Sequence, residues 1–140
     1  MKKYNVLVIG GGHAGCEAAA AASRLGCATL LVTNNKKSIG EMSCNPSIGG
    51  LGKGHLVKEI DALGGIMGYA ADLSTLQHKV LNKSKGRAVW SPRAQVDKIS
   101  YSKFILNKIN ENPDIDVIKG EIVDFLIDSS NSIKKVLLRD

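Results

Sequence analysis

The sequence predicts an incomplete Rossmann-like α/β fold, in which a parallel sheet carries an insertion after its second strand. Two apolar runs, residues 4–9 and 28–33, flank an alanine-rich helical segment, and this strand–helix–strand order indicates parallel pairing. Glycines in the pattern G-x-G-x-x-G lie between the first run and the helix. Two strand-like segments joined by a polar turn occupy the end of the sequence, which is typical of the start of a β-meander.

The glycine-rich segment after the first strand predicts a dinucleotide site, because it lies between a strand and a helix. Its residues are Gly10, Gly11, Gly12, His13, Ala14 and Gly15. We expect Gly10 to permit the turn off the strand, Gly12 to let the backbone approach a pyrophosphate, and Gly15 to let the helix pack closely. The helix that follows offers unpaired N–H groups to the phosphates at its N-terminus.

The segment after the second strand lacks the acidic residue that such a domain usually has. A carboxylate about 20 residues after the glycines normally binds a ribose 2′-hydroxyl. This chain has Thr33, Asn34 and Asn35 at that point. A hydroxyl or amide can still bond a ribose, more weakly than a carboxylate does. Lys36 and Lys37 follow, and we interpret them as part of a solvated turn.

Residues 36–93 are predicted to form the insertion, which is rich in glycine at its start and basic at its end. Glycine, serine, asparagine and proline dominate residues 38–55, which indicates a loop. The spacing of apolar residues predicts a short helix over residues 56–63. A broken helix and then a strand are expected over residues 66–82, followed by a basic loop over residues 83–93.

A second long helix is predicted over residues 95–110, followed by strands over residues 115–118, 121–127 and 133–138. Domains that bind only a nicotinamide dinucleotide more often continue with regular strand–helix units after the second strand. In many flavoproteins, by contrast, an insertion follows the second strand and a small meander lies beside the main sheet. The order of the elements therefore favours FAD over NAD.

The composition indicates a single domain with an anionic partner. The chain has 140 residues, of which 44% are hydrophobic, and a formal net charge of +6. The positive charge favours a phosphate-rich cofactor, nucleic acid or both. The three cysteines form no C-x-x-C pair, which predicts reduced thiols in the cytoplasm and no metal site. No apolar run is long enough to span a membrane, and the run at residues 4–9 is too short for a secretory signal.

Four motifs carry a resemblance to a known family: GGGHAGCEAA, MSCNPSIGGLGKGHLVKEIDALGG, NKSKG and RAQVD. The second motif is long and specific. Through these motifs the chain resembles the MnmG (GidA) family of FAD-dependent enzymes, which add a 5-carboxymethylaminomethyl group to the wobble uridine of certain tRNAs. Family members are several times longer. The resemblance therefore implies that residues 1–140 are the N-terminal part of an FAD-binding domain, without the NADH-binding and C-terminal helical parts.

The resemblance also implies cofactors, partners and site residues. FAD would accept and return hydride, NADH would be the reductant of the full-length enzyme, and tRNA would be the substrate. A GTPase, MnmE, would be the partner of a homodimer. The segment from Gly10 to Gly15 would bind the FAD diphosphate, the backbone at Ile122 would contact the adenine, and Cys44 would be a catalytic thiol near the flavin. The candidate contacts to tRNA phosphates are Lys83, Lys85 and Arg93.

Several alternatives remain open from the residues alone. Cys44 is compatible with a small loop residue that has no chemical role, and the basic loop is compatible with an ordinary solvated segment. The chain is also compatible with another flavoprotein of the same superfamily, such as a folate-dependent tRNA methyltransferase or a small-molecule oxidoreductase. A third alternative is a non-catalytic nucleotide-binding fragment. The stretch SCNPSIGGLGKGH favours the wobble-uridine enzyme over the other flavoproteins.

Overall fold

The computed structural model describes residues 2–139, which form three sheets and four helices. In chain order the strands are β1 (Val6–Ile9), β2 (Thr29–Thr33), β3 (Ser47–Gly49), β4 (Thr75–Leu81), β5 (Ser91–Val96), β6 (Ile115–Lys119), β7 (Glu121–Ile127) and β8 (Ile133–Arg139). The helices are α1 (His13–Arg24), α2 (Lys53–Ala62), α3 (Met67–Leu73) and α4 (Lys98–Asn110). Within these residues, no helix combines the length and the apolar character that a membrane crossing requires.

The first sheet is parallel, with the strand order β1-β2-β6. Its central strand β2 is nearly all apolar, and Leu31 pairs with Val8 on one side and with Val117 on the other. Helices usually cover a parallel sheet, so its strands are buried and rich in apolar residues, as β2 is. The prediction of an α/β fold with a parallel sheet is confirmed. The carboxyl ends of all three strands consequently lie at one edge of the sheet.

The insertion between β2 and α4 forms a second, antiparallel sheet with the order β3-β5-β4. The predicted broken helix followed by a strand corresponds to α3 and β4. The predicted loop over residues 38–55 was wrong in part, because it contains β3 and the first residues of α2. The final antiparallel pair, β7 and β8, agrees with the predicted hairpin.

The helix predicted from Gln95 begins three residues later, at Lys98, so that prediction was wrong at its start. Gln95 and Val96 belong to β5, where backbone pairing with β4 holds them in an extended conformation. Asp97 then caps the helix, since its carboxylate accepts a hydrogen bond from the Ser100 N–H at 2.8 Å. For the same reason Arg93 lies in a strand and not in the predicted basic loop.

The core lies between the parallel sheet and helices α1 and α4. Its fully buried side chains include Leu31 of β2, Ala19 of α1, and Tyr101 and Ile109 of α4. The first helix begins at His13, inside the glycine-rich segment, because the turn after β1 leads directly into it. Small residues on α1 let its backbone approach the sheet, as its alanine-rich sequence predicts.

Glu17 connects α1 to the insertion. Its carboxylate oxygens accept hydrogen bonds from the N–H of Ile66 at 3.0 Å and from the N–H of Met67 at 2.6 Å. These N–H groups belong to the N-terminus of α3, which has no other side-chain cap. A carboxylate at this end of a helix is favoured both by the hydrogen bonds and by the helix dipole. The structural role of Glu17 was not predicted from the sequence, because its partners in α3 are distant along the chain.

We expect Glu17→Ala to lower the free energy of unfolding by about 1–3 kcal/mol, because two partly buried N–H groups lose their acceptor. Chemical denaturation of the wild-type and variant proteins measures this difference. Glu59→Ala is the matched control, since Glu59 is an exposed glutamate of α2 that forms no ion pair within residues 2–139. An equal loss of stability in both variants would contradict the anchoring role of Glu17.

Candidate functional site

The turn after β1 adopts the geometry that the glycine motif predicts. Gly10 has a φ of +99°, which glycine adopts without strain, and its N–H donates to the carbonyl of Val32 at 2.8 Å. A Cβ at Gly15 would lie 1.9 Å from the carbonyl oxygen of Gly10. A Cβ at Gly12 would meet nothing within 4 Å. Gly15 is thus required for the approach of α1 to the turn itself, whereas Gly12 faces open space that a ligand can fill.

The N-terminus of α1 is free to bind an anion. Its N-cap residue, Gly12, has no side chain to accept from the first N–H groups, and the first turn contains no acidic residue. Gly12 and Ala14 are exposed. Unpaired N–H groups and the positive end of the helix dipole therefore point to the space in front of Gly12. These residues fit the diphosphate of a dinucleotide.

At the end of β2, two of the three polar residues already use their side chains. The Thr33 hydroxyl lies 3.3 Å from the carbonyl oxygen of Asn35, to which it donates. The Asn35 side chain accepts from the Lys37 N–H at 3.0 Å and caps a short helical turn. Asn34 is exposed, and its amide makes no hydrogen bond to another residue of the range 2–139. Asn34 is therefore the side chain of this group that is free to bond a ribose hydroxyl.

Ile122 lies near the same edge of the parallel sheet. It is the second residue of β7, and it is partly buried. Two residues earlier in the chain, Gly120 donates its N–H to the carbonyl of Thr33 at 2.9 Å. The chain therefore passes directly beside the carboxyl end of β2 before it reaches Ile122. Its contact to an adenine stays a prediction.

A pocket of about 390 Å³ opens beside the N-terminus of α1. His13 and Ala14 of the glycine motif line it together with Cys44, and Lys53 and Met67 of the insertion complete part of its wall. The structure therefore brings Cys44 and two residues of the glycine motif, His13 and Ala14, to one cavity, whereas Gly10, Gly11, Gly12, Gly15 and Ile122 do not line it. The walls are mainly apolar, with few polar groups, which is typical of a site for a small organic molecule or cofactor.

Cys44 is exposed, and its surroundings favour the thiolate. The pKa of Cys44 lies below its ordinary value of 9.0, chiefly because the polar backbone N–H of Asn45 and hydroxyl of Ser43 stabilise the charged sulfur. The positive charges of Lys53 and Lys98 lower this pKa further. A thiolate that is exposed at the wall of a pocket has the properties of a nucleophile.

Cys16 has the opposite character. It is buried in α1, and its thiol donates a hydrogen bond to the carbonyl oxygen of Gly11 at 3.4 Å. Burial raises the pKa of Cys16 to about 11, so this thiol stays protonated. Among residues 2–139, no group of three histidine, cysteine, aspartate or glutamate side chains comes together as metal ligands.

His13 packs against the ring of Tyr101, with the ring centroids 5.6 Å apart. Burial lowers the pKa of His13, so the imidazole is neutral at pH 7. The Nε2 atom of His13 and the hydroxyl of Tyr101 are both buried, and neither has a hydrogen-bond partner among the described residues. The side chain of His13 thus connects the glycine turn to α4.

The candidate nucleic-acid residues separate into two groups. Lys83 and Arg93 line one pocket of about 340 Å³, whereas Lys85 does not line it. Lys83 and Lys85 belong to an exposed single helical turn after β4, and Arg93 lies in β5. Lys79, which the sequence did not single out, lies directly opposite Arg93 in the antiparallel sheet. No signal in the sequence could identify this pair, because the register between two strands depends on tertiary structure.

Comparison with known proteins gives consistent matches over the whole chain. A family model described as "Glucose inhibited division protein A" matches residues 5–140. A protein of Granulibacter bethesdensis named tRNA uridine 5-carboxymethylaminomethyl modification enzyme MnmG is 52% identical over 98% of this chain and 22% of its own length. The protein of the same name from Ureaplasma urealyticum serovar 10 is 53% identical over 100% of this chain and 23% of its own length. The chain thus spans less than a quarter of these relatives.

The solved structures agree with the sequence comparisons. Aquifex aeolicus GidA in its form I crystal superposes with a TM-score of 0.92 and 46% identity over 98% of this chain and 23% of its own. PqsL of Pseudomonas aeruginosa, described as a probable FAD-dependent monooxygenase, superposes with a TM-score of 0.66 at 17% identity. The second likeness shows the fold alone.

We expect Cys44 to react with iodoacetamide much faster than Cys16 at about pH 8, because Cys44 is exposed and Cys16 is buried with a raised pKa. Its rate of alkylation should rise with pH and level off with a midpoint below 9.0, since the lowered pKa places the thiolate at lower pH. Timed alkylation followed by peptide mapping measures each rate. Cys27, which is partly buried, is the internal control, and equal rates for Cys27 and Cys44 would contradict the activation of Cys44.

Proposed function

This chain belongs to the glucose inhibited division protein A (GidA) family, and on that basis we propose that it is the N-terminal part of an FAD-dependent tRNA-modifying enzyme. The enzyme would add a 5-carboxymethylaminomethyl group to the wobble uridine of tRNA, as the names of the relatives describe for those proteins. Residues 1–140 form part of its FAD-binding domain, with residues 36–93 as an inserted segment. The NADH-binding and C-terminal helical parts belong to the remainder of the longer protein.

The observation that carries this proposal is the free N-terminus of α1 beside the pocket that contains Cys44. The glycine motif, Gly10 to Gly15, holds the diphosphate of FAD through the N–H groups of α1. Asn34 bonds the ribose in place of the missing acid, and the backbone at Ile122 contacts the adenine. Bound FAD supplies the capacity to accept and return hydride. The cavity of about 390 Å³ beside His13 has room for the end of the cofactor that carries this chemistry.

Cys44 acts in the proposed reaction as a thiolate nucleophile. It is exposed at the pocket wall, and the polar backbone N–H of Asn45 and hydroxyl of Ser43 lower its pKa. A thiolate adds to an electrophilic carbon of a substrate far more readily than a hydroxyl does. Lys53 supports the charged form of the sulfur from the start of α2.

The partners of the proposed enzyme follow from the family. They are tRNA as substrate, the GTPase MnmE, NADH as the reductant, and a second copy of the enzyme in a homodimer in the cytoplasm. The net charge of +6 supports a polyanionic partner. The basic residues that we propose for contacts with tRNA phosphates are Lys83, Lys85 and Arg93.

We expect Gly12→Ala in the full-length protein to weaken FAD binding at least about tenfold, because a Cβ would occupy the space where the diphosphate meets the backbone. The protein should still fold, since this Cβ meets no protein atom within 4 Å. Flavin absorbance and thermal unfolding of the same preparation measure the two properties. Gly54→Ala is the matched control, because its Cβ would make only ordinary contacts, at 3.7 Å or more. Full flavin content in Gly12→Ala would contradict the proposed site.

We expect Cys44→Ser to abolish tRNA modification while leaving the flavin content and the thermal stability unchanged, because the side chain is exposed and only its nucleophilicity is lost. Modified wobble uridine is measured by mass spectrometry of digested tRNA. Cys27→Ser, a change at a cysteine outside this pocket, should keep its activity. Near-normal modification by a well-folded Cys44→Ser protein would remove Cys44 from the catalytic machinery.

A further inference from the structure

The pairing of β4 with β5 places two positive charges side by side. Lys79 lies directly opposite Arg93, and residues in that relation point to the same face of the sheet. Like charges in opposed positions destabilise an antiparallel pair. Neither residue forms an ion pair with a carboxylate in the range 2–139. The fold therefore places two basic residues opposite each other, and neither is held in an ion pair among residues 2–139.

Arg93 has an unused hydrogen-bond donor in a buried position. Its Nε atom is shielded from solvent, and it has no acceptor among the described residues. A buried donor without a partner is destabilising, and more so when the group is charged. An external group that accepts hydrogen bonds and carries negative charge would satisfy the Nε donor of Arg93. The same group would stabilise the neighbouring positive charges of Lys79 and Arg93.

The space beside these two residues can hold such a group. The pocket of about 340 Å³ is lined by His78, Lys79, Val80, Lys83, Pro92 and Arg93. All its titratable residues are basic. Asp61 and Asp72 line the adjoining pocket, which shares His78 and Arg93 with this one.

We propose that this pocket binds one phosphate group of an RNA backbone, shared between Lys79 and Arg93. Phosphate oxygens accept hydrogen bonds from the planar guanidinium, and their charge relieves the repulsion between the two cations. Lys83 adds a third positive charge at the wall of the pocket. Lys85 lies outside it and makes no contact to this phosphate. The inference rests on the proposed function, in which tRNA is the polyanionic substrate.

The pocket is separate from the proposed cofactor site. None of the residues that line it also lines the pocket beside Cys44. The diphosphate of FAD has its own binding groups at the N-terminus of α1, and these do not include Lys79 or Arg93. The basic pocket therefore serves a second phosphate-bearing ligand, and backbone phosphates position an RNA without reading its sequence.

The test measures the affinity of the full-length protein for a tRNA transcript as a function of salt concentration. Lys79→Gln and Arg93→Gln should each weaken binding about threefold to tenfold, and each should reduce the slope of log affinity against log salt by about 0.7–0.9. The double variant should lose about the same slope as either single variant, because both residues contact one phosphate. Lys135→Gln, a change at an exposed lysine of β8, is the matched control and should leave the slope unchanged.

Unchanged slopes in both single variants would overturn the proposal, as would an equal fall in Lys135→Gln. A fall in the salt slope of the double variant that corresponds to about two phosphates would mean that Lys79 and Arg93 contact different phosphates, which would overturn the shared site. Lys79 is exposed, so Lys79→Gln should fold normally. This variant therefore tests the site even if Arg93→Gln lowers the amount of folded protein. If the wild-type protein binds no tRNA, the proposed function fails. In that case the two proteins are compared with tripolyphosphate at fixed ionic strength. If tripolyphosphate stabilises the wild-type protein but not Lys79→Gln, the pocket binds a free phosphate, and its assignment to RNA is overturned.

Discussion

The close approach of α1 to the turn after β1 is the constraint on which the rest of the structure depends. No side-chain carbon fits between Gly15 and the carbonyl oxygen of Gly10, so the helix begins within a few ångströms of the strand end. Gly11 strengthens this junction, because its carbonyl oxygen accepts from the N–H of Gly40 at 2.9 Å and from the thiol of Cys16. The segment that leads from β2 towards Cys44 is therefore anchored to the same turn that presents the free N–H groups.

From this junction, α1 organises both halves of the candidate site. Its first residues face the open space in front of Gly12, and one turn later Glu17 caps the first helix residues of α3 in the insertion. His13 lies between these positions and packs against Tyr101 of α4. A single helix thus connects the proposed cofactor site, the N-terminus of α3 and the core. The contrast between Cys16 and Cys44 follows from the same arrangement, since one thiol is enclosed behind the turn and the other lies at the pocket wall.

Local signals predicted the parts of the fold that local chemistry determines. The apolar strands, the glycine turn and the alanine-rich helix were predicted because each has a pattern that only one kind of element satisfies. The start of α4 was misplaced because Val96 fits a helical period as well as a strand, although Asp97 is a suitable N-cap. The helix cap by Glu17 and the pairing of Lys79 with Arg93 were not predicted, because each depends on a partner that is distant in sequence.

The hydrogen bond between Glu17 and the N–H of Ile66 joins residues 49 positions apart, so the insertion between them is held at both ends whatever its length. The entropy of closure grows only with the logarithm of loop length, and doubling the loop costs about 0.6 kcal/mol. Lengthening or shortening of the loops between these two residues is therefore inexpensive, while the two ends of the bond must be retained.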